Sequence, residues 1–340
     1  MIAKELHLRK NEISEPIETI YFGGGTPSLL DLGEINQILE KIDSNYSVIS
    51  KPEITLEANP DDLNSIKLNE LKSSAINRLS IGIQSFFDED LKLMNRAHNA
   101  NEAMNSIKTA QDAGFENITI DLIYGGQTTS DENWKKNLEI ALESGVPHIS
   151  SYALTVEPKT VLAHQIQTKK LEDLDEDQQE RQFQMLVQTL TSHDFIHYEI
   201  SNFGKKGFLS RHNSNYWKGK SYLGVGPSAH SYDGKNRSWN PPNNSIYIKN
   251  LAENKLVNQV ESLSENDRFN ELIMIRLRTI YGLNLDELKS NFPDAFIDEF
   301  FRELQPHLDH QLVQIENGIL YITDKGKFLA DGIASSLFRV

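Results

Sequence analysis

The sequence predicts an α/β fold: a partial (β/α)6, TIM-like barrel lacking its first strand, followed by a winged-helix-like α+β module at the C-terminal end. Three observations predict it. Strand-like and helix-like runs alternate five times before about residue 165, at spacings of roughly 25 to 40 residues, as parallel βα units do. The strand-like runs end in glycine or polar residues, and parallel strands present ligands at their carboxyl ends. The chain opens on a helix-like run, so the strand that a barrel places beside residues 18–22 is missing from its expected position, and native sheets avoid a bare central edge. The expected division is a barrel core over residues 1–165, barrel completion with glycine- and aromatic-rich loops over 166–240, and the C-terminal module over 241–340.

In order, residues 2–10 read as a helix because Ile2 and Leu6 stand four apart with few breakers. The first strand, 18–22, runs into Gly23-Gly24-Gly25-Thr26-Pro27. Three consecutive glycines cost chain entropy and make sense where backbone must approach a ligand or a crossing chain. Pro27 suits the first position of a following helix. Asp31 and Glu34 fit a capping box, and Ile35, Ile38, Leu39 and Ile42 share a helical face. A second strand spans 53–60, a short helix 64–73, and a third strand 78–85. A helix over 101–113 is closed by Gly114. The fourth strand, 118–124, ends in Gly125-Gly126. Thr129 and Glu132 cap a helix that buries Trp134, Leu138, Ala141 and Leu142, and Gly145 ends it. The fifth strand is 148–156. The polar or glycine strand ends are Gly23 to Thr26, Glu57 with Asn59, Gln84 with Ser85, Asp121, and Tyr152 with Ala153.

Residues 171–179 are strongly acidic and read as a helix start or linker. Phe183, Leu186, Val187 and Leu190 mark a helix, and residues 197–200 a sixth strand. Residues 210–238 are rich in Gly, Asn, Tyr, His and Trp; long ordered loops of this kind usually carry function. From residue 264 the pattern is helix, short helix, helix, then a hairpin of 312–315 and 319–322 turning at Glu316-Asn317-Gly318, then a final helix. Such a module tempts a DNA-binding reading, but the chain carries a net charge of −15, and nucleic-acid binding needs a basic surface. A packing role is the expectation, with no nucleic acid as partner. No apolar run reaches the length of a membrane span, and the first ten residues are too polar for a signal peptide, which argues for the cytoplasm. There is no cysteine, which excludes disulfides, thiolate catalysis and cysteine-held metal clusters within this chain.

The segments YFGGGTPSLL (21–30), EANP (57–60), RLSIGIQSF (78–86), NRAH (95–98), IDLIYGGQ (120–127) and SYAL (151–154) together resemble the oxygen-independent coproporphyrinogen oxidase family of radical S-adenosylmethionine (SAM) proteins, through nearly the whole chain. The stretch RHNSNYW (211–217) is more similar to the family's heme chaperone branch than to the oxidase. The resemblance implies a SAM site built from Gly24, Gly25, Thr26, Glu57, Gln84, Arg96, Asp121 and Ala153. Carboxylates suit the ligand's ammonium or ribose diol, and an arginine fork suits its carboxylate. The heme chaperone branch implies heme as cargo, an acceptor protein, and His212 and His230 as candidate heme ligands. The family also holds a [4Fe-4S] cluster on a C-x-x-x-C-x-x-C loop after its first barrel strand. Here both that strand and that loop would lie upstream of Met1, so the chain as written is expected to be inert in radical chemistry. Two other readings stay open at this point: an oxidase of porphyrin biosynthesis, similarly truncated, and a cluster-free scaffold that only binds a ligand or partner.

Overall fold

In the computed structural model, which describes residues 1–340, seven strands join in one sheet. They are β1 (Ile17–Phe22), β2 (Val48–Ala58), β3 (Arg78–Gln84), β4 (Ile118–Tyr124), β5 (His148–Ala153), β6 (Ile196–Glu199) and β7 (Asn202–Gly204). The order across the sheet is β1-β2-β3-β4-β5-β7-β6. β2 to β5 are parallel neighbours, as the alternation predicts. β1 stands at one edge. At the other end the sequence reading is corrected. The sixth strand does not pair with the fifth, because β7 lies between them, antiparallel to both. Three residues, Asn-Phe-Gly, are too short to show a period. β2 also begins five residues before its predicted start, on an exposed stretch without apolar alternation.

The helices between these strands are α1 (Ile2–Leu8), α2 (Leu32–Asn45), α3 (Ser65–Ser73), α4 (Asp88–Leu93), α5 (Ala100–Asp112), α6 (Asp131–Glu143), α7 (Val161–Gln167) and α8 (Glu176–Thr191). α3, α5, α6, α7 and α8 start at side chains that satisfy free backbone N–H groups. Asn99 and Glu102 make a reciprocal capping box on α5. α6 is capped by Ser130 rather than the expected Thr129; Thr129 instead donates to Asp90.

The chain divides into two compact units. The first comprises Thr19–Gly33 and Glu53–Ser210. Within it the two faces of the sheet differ sharply. One face carries Leu56, Leu79, Ile81, Ile118, Ile120 and Ile149, all fully buried. The other carries Glu57, Ser80, Thr119 and His148 in one register row and Asp121, Ser150 and Asn202 in the next. A row of this kind is kept inside by mutual bonding: Thr119 meets His148 at 2.6 Å, His148 meets the Tyr198 hydroxyl at 2.8 Å, and Ser150 donates to Asn202 at 2.7 Å.

The second unit comprises Met1–Glu18, Glu34–Pro52 and Arg211–Val340. It contains α9 (Arg211–Trp217), β8 (His230–Tyr232), β9 (Asn236–Trp239), α10 (Asn244–Ala252) and β10 (Gln259–Ser262), with the three strands forming a small antiparallel sheet. Residues 211–217 are thus a helix rather than part of a loop. The terminal module follows as α11 (Glu265–Leu277), β11 (Leu283–Asn284), α12 (Leu285–Asn291), α13 (Asp294–Asp309), β12 (Val313–Glu316), β13 (Ile319–Ile322) and α14 (Ala330–Ser336). Its strands pair in the order β11-β13-β12 beside four helices, the winged-helix arrangement expected from sequence. The hairpin turns on Asn317 and Gly318, both with positive φ, as a two-residue turn between twisted strands demands. Phe269, Ile273, Phe300, Leu304 and Leu320 fill its core.

The glycine-rich stretch 224–230 is held by Glu5 on α1 and Arg9 at the end of that helix. Arg9 and Glu5 are both buried and paired at 3.0 Å. Arg9 donates to the Gly224 carbonyl at 2.8 Å and to Ser231, and also pairs with Glu12 at 2.7 Å. Glu5 accepts from Gly226 N–H (2.9 Å), Asn240 (2.7 Å) and the Tyr247 hydroxyl (2.5 Å). A Cβ at Gly224 would fall 2.0 Å from the His230 carbonyl oxygen, so the glycine there is steric necessity. Glu5→Ala leaves a buried guanidinium short of a partner, and such losses cost about 3–5 kcal/mol. Chemical denaturation is expected to show a destabilisation of that order, against less than about 1 kcal/mol for the exposed Lys108→Ala.

Candidate functional site

The site is built where β1 to β5 end. After Phe22 the chain passes through Gly23, Gly24 and Gly25, the last two at φ +76° and +68°, a backbone region that glycine enters without strain. Glu57, near the end of β2, fixes this loop. Its carboxylate accepts from Gly24 N–H at 3.0 Å and from the Tyr21 hydroxyl at 2.8 Å. Gly23 has no room for a side chain, since a Cβ would lie 2.6 Å from the Tyr21 ring. Thr26 then leads into a single 3-10 turn, Pro27–Leu29.

At the end of β3 the register shifts between Ile81 and Gln84, and Gln84 sits at φ +65°. Strained backbone of this kind persists only where its surroundings hold it. Here two side chains of the loop after α4 do so. Arg96 donates from Nη2 to the Gly82 carbonyl at 3.2 Å and to Asn59 Oδ1 at 2.8 Å. His98, buried, places Nε2 3.0 Å from the Ile83 carbonyl. Burial holds its imidazole below the ordinary range, so the ring is neutral and Nε2 carries the proton. Gly82 is bare because Gln84 and Arg96 pack over it; a Cβ would lie 3.0 Å and 3.2 Å from them. The bonded Nη2 leaves the Nε and Nη1 donors of Arg96 without a protein acceptor.

Asp121 stands on the polar face of β4, beside Ser150 on β5. It is half-buried among strand backbone. Burial pushes its carboxyl up to about 7, against the Ser150 hydrogen bond, while the Glu57 charge adds to the rise and Arg78 and Arg96 oppose it. β4 then ends in Gly125-Gly126, and α8 staples that loop. Gln182 accepts from Gly125 N–H (2.8 Å) and donates to the Thr129 carbonyl (2.7 Å). Gln178 reaches the same carbonyl, and Gln179 donates to the Leu154 carbonyl (2.9 Å) just beyond Ala153 at the end of β5. A second brace centres on buried Asp90, which accepts from Ser85, Thr128 and Thr129 at 2.7–2.9 Å. Ser85 is therefore a structural tie between the β3 and β4 loops.

Gly24, Gly25, Thr26, Glu57, Gln84, Arg96, Asp121 and Ala153 all belong to the first unit; the two exceptions to the strand-end expectation are Asp121, which lies midway along β4, and Arg96, which lies beyond α4. His212 and His230 belong to the second unit. There His212 lies edge-on to Tyr216 at 4.9 Å, and His230 stacks on Trp239 at 5.9 Å. Sequence reasoning singled out Asn59 as a strand end but missed the roles of Tyr21, Asp90 and the α8 glutamines. Only the glutamines left a trace, at spacings of one, three and four residues directly after an acidic run.

Comparison with known proteins defines the class first. The model of the radical SAM superfamily matches residues 2–141, and the HemN C-terminal domain model matches residues 263–329. Coproporphyrinogen III oxidase (HemN) from Escherichia coli has the same fold, with a TM-score of 0.82 and 22% identity, over 99% of this chain and 82% of that one. The chain belongs to the HemW family. It is 33% identical over 328 residues to the heme chaperone HemW of Lactococcus lactis, covering 94% of this chain and 86% of the relative. The Bacillus subtilis heme chaperone HemW is 31% identical, with 93% and 84% covered.

The superfamily implies two groups at the strand ends, and the residues present treat them differently. SAM fits the donor set: two arginine donors without a protein partner, two carboxylates, and glycines that leave backbone open to a ligand. A [4Fe-4S] cluster does not fit, because the chain has no cysteine and no group of three His, Asp or Glu side chains placed to hold a metal ion.

The raised Asp121 pKa has a stability consequence. The folded chain holds that proton more tightly than the unfolded chain, where the carboxyl titrates near 4. The penalty is absent below pH 4, grows as pH rises towards 7, and is complete above it. Asp121→Asn removes it. The variant's stability relative to the parent is expected to rise by roughly 1–3 kcal/mol between pH 4 and pH 8. Urea melts across that range check this; a difference independent of pH contradicts it.

Proposed function

We propose that the chain is a heme chaperone that binds heme, hands it to an acceptor protein, and holds SAM in the cup at the strand ends, acting in the cytoplasm. The observation that carries the reading is the likeness to proteins named heme chaperone HemW across 94% of this chain. The cup's chemistry supports the SAM part. SAM is a cation at sulfur with an ammonium, a carboxylate and a ribose diol. Arg96 takes the carboxylate through one of its open donors, Nε or Nη1. Gly24 and Gly25 let the backbone approach, and Glu57 holds them in place. Asp121 supplies negative charge once ionised. Bound SAM supplies an electrophilic sulfonium; the protein's residues bind and orient it.

For heme, His212 and His230 are the proposed ligands. Each imidazole lies against an aromatic ring, Tyr216 and Trp239 respectively, and flat rings suit packing on a macrocycle. The exposed Tyr216 ring also faces Tyr222 at 4.7 Å. No helix is long and apolar enough to cross a membrane.

Heme titration of the full chain is expected to give a distinct Soret band, and His212→Ala or His230→Ala to shift it or weaken the affinity. If neither variant changes the spectrum or the titration curve, histidine ligation is wrong. Conversion of coproporphyrinogen III to protoporphyrinogen IX by the purified protein would replace the chaperone reading with the oxidase. For SAM, calorimetry is expected to show affinity falling severalfold from pH 8 to pH 6 as Asp121 takes up its proton, with that dependence lost in Asp121→Asn. A parallel pH dependence in both proteins places the titrating group elsewhere.

A further inference from the structure

We infer that Asn59 is a positioning residue that aims Arg96 at the carboxylate of the bound amino-acid moiety, and that Asp62 and Ser28 lock Asn59 in the orientation this needs. The inference rests on the reading of the cup as the SAM site. Asn59 begins the turn Pro60–Asp62, where an asparagine side chain ordinarily accepts a backbone N–H. It makes no such cap. Its Oδ1 accepts from Arg96 Nη2 at 2.8 Å instead, and its Nδ2 faces Asp62 Oδ2 at 3.5 Å. The amide orientation is fixed by chemistry. A guanidinium only donates and a carboxylate only accepts, so the oxygen must face Arg96 and the nitrogen Asp62. Asp62 is held in turn by buried Ser28, which donates at 2.6 Å to the same Oδ2.

Ser28 lies two residues beyond Thr26, so the relay runs from the end of the glycine loop to the arginine. The amide separates opposite charges. In direct contact, a carboxylate at residue 59 would take the guanidinium in a bidentate pair and turn its open edge away from a ligand. Through the amide, Arg96 is held at one nitrogen by two acceptors, Asn59 and the Gly82 carbonyl, and keeps Nε and Nη1 for the ligand.

The test is calorimetry of the full chain with two probes: SAM, which carries the amino-acid carboxylate, and 5′-deoxy-5′-methylthioadenosine, which lacks it. Asn59→Leu is expected to weaken SAM about tenfold, or about 1.4 kcal/mol, and to leave the thioadenosine unchanged. Asn59→Asp is expected to lose as much, and the exchange Asn59→Asp with Asp62→Asn not to regain it, because a carboxylate still faces Arg96 directly. A role confined to the turn would alter both probes alike, and that outcome overturns the positioning role. Ser28→Ala gives a milder variant should Asn59→Leu fold poorly; a SAM-selective loss of about threefold is expected. If Arg96→Ala weakens SAM while Asn59→Leu and Ser28→Ala do not, the positioning role is overturned and the site stands. If the parent chain binds no SAM, the site reading fails and the inference falls with it.

Discussion

The hydrogen bond from Gly24 N–H to Glu57 is the contact on which the cup depends. Three glycines in succession have little preference for any one path, and ordering them costs more backbone entropy than any other triplet. The carboxylate at the end of the neighbouring strand selects one path, and the Tyr21 hydroxyl on its other oxygen keeps that carboxylate in place. Glu57 also adds to the field at Asp121. One side chain thus sets both the geometry of the loop and part of the charge of the site.

The same economy recurs around the cup. Side chains from elsewhere in the unit reach the backbone that the strands leave at their ends. Arg96 and His98 take carbonyls of β3, Gln182 and Gln179 reach the ends of β4 and β5, and Asp90 ties two loops together. Such braces explain how loops with several residues at positive φ keep a defined shape. They also explain why the polar face of the sheet tolerates so many buried hydroxyls, amides and carboxylates: most meet a complementary neighbour.

The parallel strands were legible because their apolar runs recur at even spacing between glycine turns and helical faces. The strand ends were legible because glycine, carboxylate and amide side chains stand there against an apolar background. Family likeness named the site residues, but their division of labour was not readable. Glu57 looked like a ligand contact and is first a brace of the glycine loop. Ser85 looked like a site residue and ties loops. The glycines of 224–230 fit around Arg9, Glu5 and the His230 backbone, a structural role that their composition did not reveal. Such roles depend on contacts between residues apart in sequence, more than 200 positions apart for the 224–230 stretch, which no local pattern reveals. β7 escaped because three residues carry no period, and the α8 glutamines because an acidic run reads as a solvated surface.

The central claim is that the strand ends of the first unit, organised by Glu57, form the SAM site. Hydrogen–deuterium exchange of the full chain with and without SAM tests it most directly. The account expects slowed exchange in residues 22–26, 82–86 and 121–126 on adding SAM, and none in the terminal module over 263–329. Slowing confined to the terminal module, with the glycine loop unchanged, would contradict it.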